Sequence, residues 1–350
     1  MSEKLFYACP PDRKIIHTMH TQIKLKLKAT FTAAALLSAI SLPINSAAQA
    51  SPYPNKPIRF LVGFAPAGAA DYVARVISEP LSKALGQSVI VENRAGAGSS
   101  IAADLAAKAA PDGYTILLAS PSSISVNPAL NPKLNYTAKD LVPVSKVTSS
   151  PLVIAVNTSS GINSIQDLIN KAKAKPGTLN YATSGNGSAP HLAASLFTQQ
   201  AGVEMMHIPF KGGSMAIQSV VSGDTQLTFG TPPSVLPMVQ AGRLKAIGVS
   251  WQNATDLVPG VPGMKESGLP DYSMDFWYGI FVPAGTPQAV IQKLFDATQT
   301  VMAQPNVRTA LAREGTDVSV SESPAAFAEF LNKDEKFWVK LVKDADVKLD

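Results

Sequence analysis

Cysteine is almost absent from this chain. Its 350 residues include one, Cys9. Beyond the first fifty residues no thiol is left to form a disulfide, ligate a metal or act as a nucleophile. Histidine is nearly as scarce: beyond residue 50 only His191 and His207 remain. Two histidines separated in sequence, with no acidic cluster nearby, do not make a metal centre, so no metal and no cofactor is expected. A basic surplus is also missing once the chain is divided. The formal charge is +5, but of the 30 basic and 25 acidic residues six and two lie within residues 1–50, which leaves 24 against 23. A near-neutral body lacks the clustered basic surface that nucleic-acid binding needs, so no nucleic-acid partner is expected. What the chain does have is apolar residues, 46% of the total, against 16% charged. That composition describes a globular protein, long enough for two domains.

Long apolar runs are missing as well. The run from Ala29 to Ile44 is interrupted by Ser38, Ser41 and Pro43 and falls short of the ~20 residues a membrane span needs. Lys24, Lys26 and Lys28 precede it and Ala48-Gln49-Ala50 follows it. A basic region, an apolar region and a small-x-small site make a secretory signal peptide, cut after Ala50. Ser51 stands where a lipoprotein anchor requires cysteine. Met19, just before the basic region, is a second candidate start. A secreted, unanchored, cysteine-free body suits the periplasm of a Gram-negative cell.

After residue 50 strands and helices alternate. Ile58–Val62 reads as a strand, the amphipathic run from Asp71 as a helix, Ser88–Asn93 as a strand, Ile101–Ala110 as a helix and Tyr114–Ala119 as a strand. Val73, Val76, Ile77, Leu81 and Leu85 share one face of the first helix, and Pro80 is expected to kink or end it. Pro151–Val156, after a Ser/Thr/Pro-rich stretch, is the expected first crossing into a second domain. Phe276–Val282 is the expected crossing back. Three helices that open on prolines, Pro287–Ala303, Pro305–Glu314 and Pro324–Ala345, close the chain. The pattern predicts an α/β fold of mostly parallel sheets flanked by helices. The expected organisation is a leader over residues 1–50, domain I over 51–150 and 277–350, and domain II over 151–276.

Two stretches of small residues carry the functional signal. Phe64-Ala65-Pro66-Ala67-Gly68-Ala69-Ala70-Asp71 joins the first strand to the first helix. Small residues let a ligand approach the main chain, and the helix aims free N–H groups and its positive end at the loop. Ser184-Gly185-Asn186-Gly187-Ser188, followed by a helix that opens near His191, repeats the arrangement in the second half. Taken singly, each loop is equally well read as a tight helix entry. Asp71 reads better as a helix N-cap than as a ligand group, because a carboxylate repels a bound carboxylate. His191 fits helix-start packing or a ligand shell equally. His207 reads as a hydrogen-bonded core residue. Gly96-Ala97-Gly98 fails as a dinucleotide fingerprint, since Ile101 stands at the third glycine position.

These features, with further markers, resemble the periplasmic receptors of tripartite tricarboxylate transporters, also called Bug-type solute-binding proteins. The markers are Tyr53–Arg59, the Phe64–Asp71 loop, Val91-Glu92-Asn93-Arg94, Ala110–Thr115, Leu179-Asn180-Tyr181, Ser184–Ser188, His207–Gly212, Val282–Pro287 and Phe327-Ala328. The resemblance implies two domains of the type II periplasmic-binding-protein kind, joined by crossing strands and closing on a small carboxylate like a flytrap. It implies a non-catalytic receptor, monomeric, that serves the membrane subunits of a tripartite transporter, encoded nearby or elsewhere, or a sensor. It implies that Ser120, Ser122, Gly230 and Thr231 complete the lining begun by the two loops and His191. Two departures stand out. Ala67 and Ala70 replace a glycine and a hydroxyl common in the family, and Gly230 stands where many relatives have aspartate. Ala67 does not adopt a positive φ as freely as glycine. Ser188→Ala is expected to lower affinity with little effect on stability, if its hydroxyl faces water-accessible space. The competing reading is a secreted serine-type hydrolase acting on small esters. It lacks the Gly-x-Ser-x-Gly elbow, and neither histidine has an acidic partner evident in sequence.

Overall fold

The computed structural model describes residues 53–131 and 133–344. The leader, its cleavage after Ala50, the choice between Met1 and Met19, and the last residues of the chain lie outside them. The first lobe opens with β1 (Ile58–Val62), α1 (Ala69–Leu85), β2 (Val89–Asn93), α2 (Ser100–Ala107) and β3 (Thr115–Ala119). A π-helical turn, Ser122–Val126, then leads into the short α3 (Asn127–Leu130), and β4 (Leu141–Ser150) follows. The second lobe holds β5 (Val153–Asn157), α4 (Ile165–Ala174), β6 (Asn180–Thr183), α5 (Ala189–Ala201), β7 (Met206–Pro209), α6 (Gly213–Ser222), β8 (Leu227–Gly230), α7 (Pro232–Gln240) and β9 (Leu244–Val249). The chain returns through β10 (Phe276–Pro283) and finishes with α8 (Gln288–Met302), α9 (Pro305–Arg313), β11 (Asp317–Val318) and α10 (Pro324–Asp344).

Each lobe is built on one sheet. The first has the order β11-β4-β10-β3-β1-β2 and the second β7-β6-β8-β5-β9. In the second, β5 runs against both β8 and β9, while β6 and β7 run with β8, so four of its five strands share a direction. In the first, β10 opposes both β3 and β4, and four of six share a direction. The antiparallel members of the first sheet, β10 and β11, belong to the part of the chain that has come back from the second lobe. Every residue of β3, β5 and β10 is buried, as expected of strands covered by helices on both faces. Trp277 and Phe281 on β10 meet Phe327 of α10 at ring distances of 5.7 and 5.4 Å. Aromatic pairs of this kind add about 0.5–1.5 kcal/mol each beyond area burial and fix the last helix to the sheet.

One expected helix end is not found, and one strand goes unread in sequence. Helix α1 runs through Pro80 without a break and ends at Leu85. Its buried face, with Val73, Ala74, Ile77, Leu81 and Leu85, carries it past the hydrogen bond that proline deletes. The Ser/Thr/Pro-rich stretch before the first crossing, assigned no element from sequence, is β4, ten residues long and paired to β10 and β11. Its pattern is obscured because helices α8 and α10 both pack on it, so apolar and small polar residues alternate irregularly. Pro143 sits opposite Phe281 at a register shift, a place where a missing donor is tolerated. Both sheets lie within one compact body. No described helix is long and apolar enough to cross a membrane.

Candidate ligand cleft

Strands β1 and β3 are parallel, so the loops after them leave at one edge of the first sheet. The loop after β1 holds Ala67 at φ 61, the left-handed region that costs an L-residue roughly 1–2 kcal/mol. Two ties hold it there. The Ala67 N–H donates to Asp71 Oδ2 at 3.0 Å, and the Ala67 carbonyl accepts from Ser214 Oγ of the second lobe at 3.2 Å. Gly68, extended at φ −94, is the N-cap of α1 and no side chain caps it. Asp71 is therefore not the N-cap. It sits in the first turn, reaches back to Ala67 and pairs with Arg75 at 2.9 Å. Burial pushes its carboxyl up, but the hydrogen bonds from Arg75 and the Ala67 N–H outweigh burial and hold it below the usual value. Because Asp71 covers Ala67, the N–H groups of Ala69 and Ala70 at the helix start are left for the cleft.

After β3 the chain enters the π-helical turn. Ser120, Ser122 and Ser125 are fully buried there, and none of their hydroxyls has a partner among the described residues.

In the second lobe β6, β7 and β8 are parallel, so three loops leave one edge and each starts a helix: α5 at Ser188, α6 at Gly212 and α7 at Thr231. These starts face the first lobe across a cavity of about 40 Å³. Phe64, Ala65, Gly68, Ala69, Ala70 and Ser122 line it from the first lobe. Ser184, Pro190, Gly213, Ala216, Ile217, Thr228, Gly230, Thr231 and Ser234 line it from the second, and Phe276 and Tyr278 come from β10. None of these residues is charged. A second cavity of about 370 Å³ shares Phe64 and Ser184 with the first and adds Gly185, Asn186 and the Gly96–Ser100 turn.

The anticipated residues are thus divided. Phe64, Ala65, Gly68, Ala69, Ala70, Ser122, Ser184, Gly230 and Thr231 line the first cavity, and Gly185 and Asn186 the second. Pro66, Ala67, Asp71, Ser120, Gly187, Ser188 and His191 line neither. Ser188 does not face water: it is 1% exposed, and its hydroxyl caps α5 by accepting from the His191 N–H. Gly230 leaves no room for a side chain, since a Cβ there would lie 2.5 Å from Val235 Cγ2. The α6 start at Gly213, with Ser234 and the β10 residues, went unread in sequence. The third parallel loop after β7, with Gly212-Gly213, was the available signal, because ligands in such sheets gather where strand ends and helix starts meet.

The two histidines are not separated in space. His191 and His207 stack with ring centroids 3.7 Å apart, and Tyr181 stacks on His207 at 5.1 Å. His207 is half-buried on the edge strand β7 rather than in the core. His191 Nδ1 accepts from the Gly187 N–H at 3.1 Å, and His207 Nε2 pairs with Thr183 Oγ1 at 2.6 Å. Burial, helped by the neighbouring His207, pushes the His191 imidazole down to about 3, so it is neutral and serves as an acceptor. The stack is the footing of the Ser184–Ser188 loop. Among the described residues no three His, Cys, Asp or Glu side chains are grouped to hold a metal ion.

The family model for the tripartite tricarboxylate transporter family receptor matches residues 73–347. The protein BugT of Bordetella pertussis is 34% identical over 321 residues, 90% of this chain and 98% of its own. A UPF0065 protein from the tcbD-tcbE intergenic region of Pseudomonas sp. strain P51 is 35% identical over 83% of this chain and 86% of its own. Among solved structures, R. palustris Rpa4515 with adipate superposes with a TM-score of 0.81 at 28% identity, covering 85% of this chain and 99% of its own. MatC from Rhodopseudomonas palustris with bound malate gives 0.77 at 29% identity, covering 83% and 100%.

Proposed function

The chain belongs to the tripartite tricarboxylate transporter family of receptors, and from that premise we propose that it captures a small carboxylate between its two lobes in the periplasm. It then delivers the ligand to the membrane subunits of a tripartite transporter, or to a sensor, and acts as a monomer without a cofactor.

The observation that carries this reading is the convergence of four helix starts, α1, α5, α6 and α7, on one uncharged cavity walled by both lobes. With no acidic residue in the wall, a carboxylate meets only N–H groups, hydroxyls and apolar surface. The starts that present free N–H groups, α1, α6 and, through Ala189, α5, contribute roughly 0.3–2 kcal/mol each toward an anion, whereas α7 opens on Pro232-Pro233, which have no N–H; micromolar affinity needs about −8 kcal/mol. The remainder comes from apolar contacts such as Phe64, Ile217 and Phe276 and from closure. The buried Ser122 hydroxyl supports a polar guest, since leaving such a group unpaired costs about 1–3 kcal/mol. Relatives with adipate and with malate make the ligand class chemically reasonable. A non-catalytic role is supported by the histidines: Thr183, the hydroxyl paired with His207, is fully buried and lines neither cavity.

A thermal-shift screen of the purified protein, stripped of ligand by unfolding and refolding, tests the proposal. At a hundred times its Kd a ligand stabilises by about 2.7 kcal/mol, so one group of carboxylates should raise Tm while neutral sugars and amides do not. Shifts from the neutral compounds alone would refute it. At about 40 Å³ the cavity has room for water but not for an organic acid, so entry requires the lobes to part. Identical X-ray scattering profiles with and without saturating ligand would contradict that closure.

A further inference from the structure

The chain crosses between the lobes twice, from β4 into β5 through Pro151-Leu152 and back into β10 through Met274-Asp275. On the second-lobe side the fully buried Ser250 clasps both crossings. Its N–H donates to the Leu152 carbonyl, and its hydroxyl accepts from the Leu152 N–H and donates to the Met274 carbonyl. Its own carbonyl accepts from the Met274 N–H, and all four bonds measure 2.7–2.9 Å. On the first-lobe side Ser150 of β4 pairs with Phe276 of β10. The step between these two clasps, at Pro151 on one crossing and Asp275 on the other, is where the lobes turn, since hinges are a few residues at element ends. The Asp275 side chain reaches to both sides of that step. Its Oδ1 accepts from Ser149 Oγ of β4 at 2.6 Å and from Trp251 Nε1, in the loop after β9, at 3.3 Å. Its Oδ2 lies 3.5 Å from Lys146 Nζ of β4, which is held over the Phe330 ring of α10 at 4.6 Å. Hydrogen bonds to an ionised carboxylate are stronger than neutral ones. Lys146, Ser149, Trp251 and Asp275 line neither cavity.

We propose that Asp275 is the positioning residue of closure: fixed to β4 of the first lobe, it holds Trp251 of the second, and so raises affinity for a ligand that it does not touch. Opening the cleft swings Trp251 away from β4 about the Pro151 and Asp275 step, and the shared carboxylate then lets one side go. A ligand that binds the closed state gains whatever these bonds contribute to closing, because its apparent affinity scales with the population of that state. This inference rests on the receptor reading above and assigns the residue that sets its closing equilibrium.

Trp251→Phe keeps an aromatic ring and deletes the N–H that ties the second lobe, and Asp275→Ala deletes the shared acceptor. The experiment is calorimetric titration of the purified protein, each variant and the double variant with succinate, adipate, citrate and benzoate. X-ray scattering is recorded with and without acid, and circular dichroism confirms the fold. The expected result is a Kd that rises about five- to tenfold in Trp251→Phe, at least as much in Asp275→Ala, and no further in the double variant. The ligand-free variants should have a larger radius of gyration than the unaltered protein, and saturating acid should remove the difference. An unchanged Kd in Trp251→Phe overturns the inference and leaves the receptor reading standing. So does a double variant weaker than Asp275→Ala by the full Trp251→Phe factor, since Trp251 would then act without Asp275. So does a raised Kd with ligand-free scattering unchanged, which would place the effect at Phe276, the neighbour of Asp275 that lines the first cavity. Failure of every acid to bind overturns the receptor reading, and this inference with it.

Discussion

Acid should weaken the fold through His191. The imidazole is 8% exposed, stacked on His207 at 3.7 Å, and accepts the Gly187 N–H on Nδ1. In the unfolded chain it takes up a proton near pH 6.5. In the folded protein burial and the neighbouring His207 delay this to about 3. Between those values the unfolded state binds more protons, so stability is complete above about pH 6.5 and falls as pH drops, by about 1.4 kcal/mol per unit. From pH 6 to 4.5 this one group removes about 2 kcal/mol. His191→Asn isolates it, because the amide oxygen can still accept from Gly187 but does not titrate. The variant loses ring stacking and is less stable at pH 7.5. Urea unfolding of both proteins between pH 7.5 and 4.5 should show the gap between them narrowing by about 2 kcal/mol below pH 6. Carboxylates common to both proteins largely cancel in that difference. Two parallel profiles would refute the reasoning, since they would mean that His191 titrates alike folded and unfolded.

Three further outcomes follow from the cleft. Ala67→Gly relieves a left-handed alanine at φ 61 but frees the unfolded chain, and the net gain should be about 0.5–1 kcal/mol by urea unfolding; a loss of stability would show that the Asp71 and Ser214 ties carry no strain. Ser188→Ala removes the α5 cap and should cost about 1 kcal/mol, measured by the same unfolding; an unchanged midpoint with lowered ligand affinity would return Ser188 to the ligand shell. Gly63→Ala places a Cβ 1.7 Å from Ser99 Oγ and 2.8 Å from Ser99 Cα. It should destabilise by about 3 kcal/mol, with part recovered by adding Ser99→Gly, and an undisturbed Tm in the single variant would contradict the close approach of these two segments.

The sequence by itself determined much of the architecture. Alternating apolar strands and amphipathic helices have to be packed with helices on both faces of largely parallel sheets, and that period is written locally in runs such as Ile58–Val62 and Val73–Leu85. It also marked both small-residue loops, because a loop that must expose its main chain at a helix start has few residue types to choose from. It did not reveal β4, whose Ser, Thr and Pro residues are held in a strand by β10 and β11 on either side; the pairing is non-local and overrides local propensity. Nor did it reveal that His191 and His207, sixteen positions apart, stack beneath one loop, or that Ser188 turns inward to cap α5 while Ser184 faces the cavity. Those outcomes depend on which way each side chain points once neighbouring strands fix the loop. Only the tertiary structure decided that Gly213, Ser234 and Tyr278 share a cavity with Ala69, because residues from both lobes and a crossing strand meet there only after the chain has gone to the second sheet and returned.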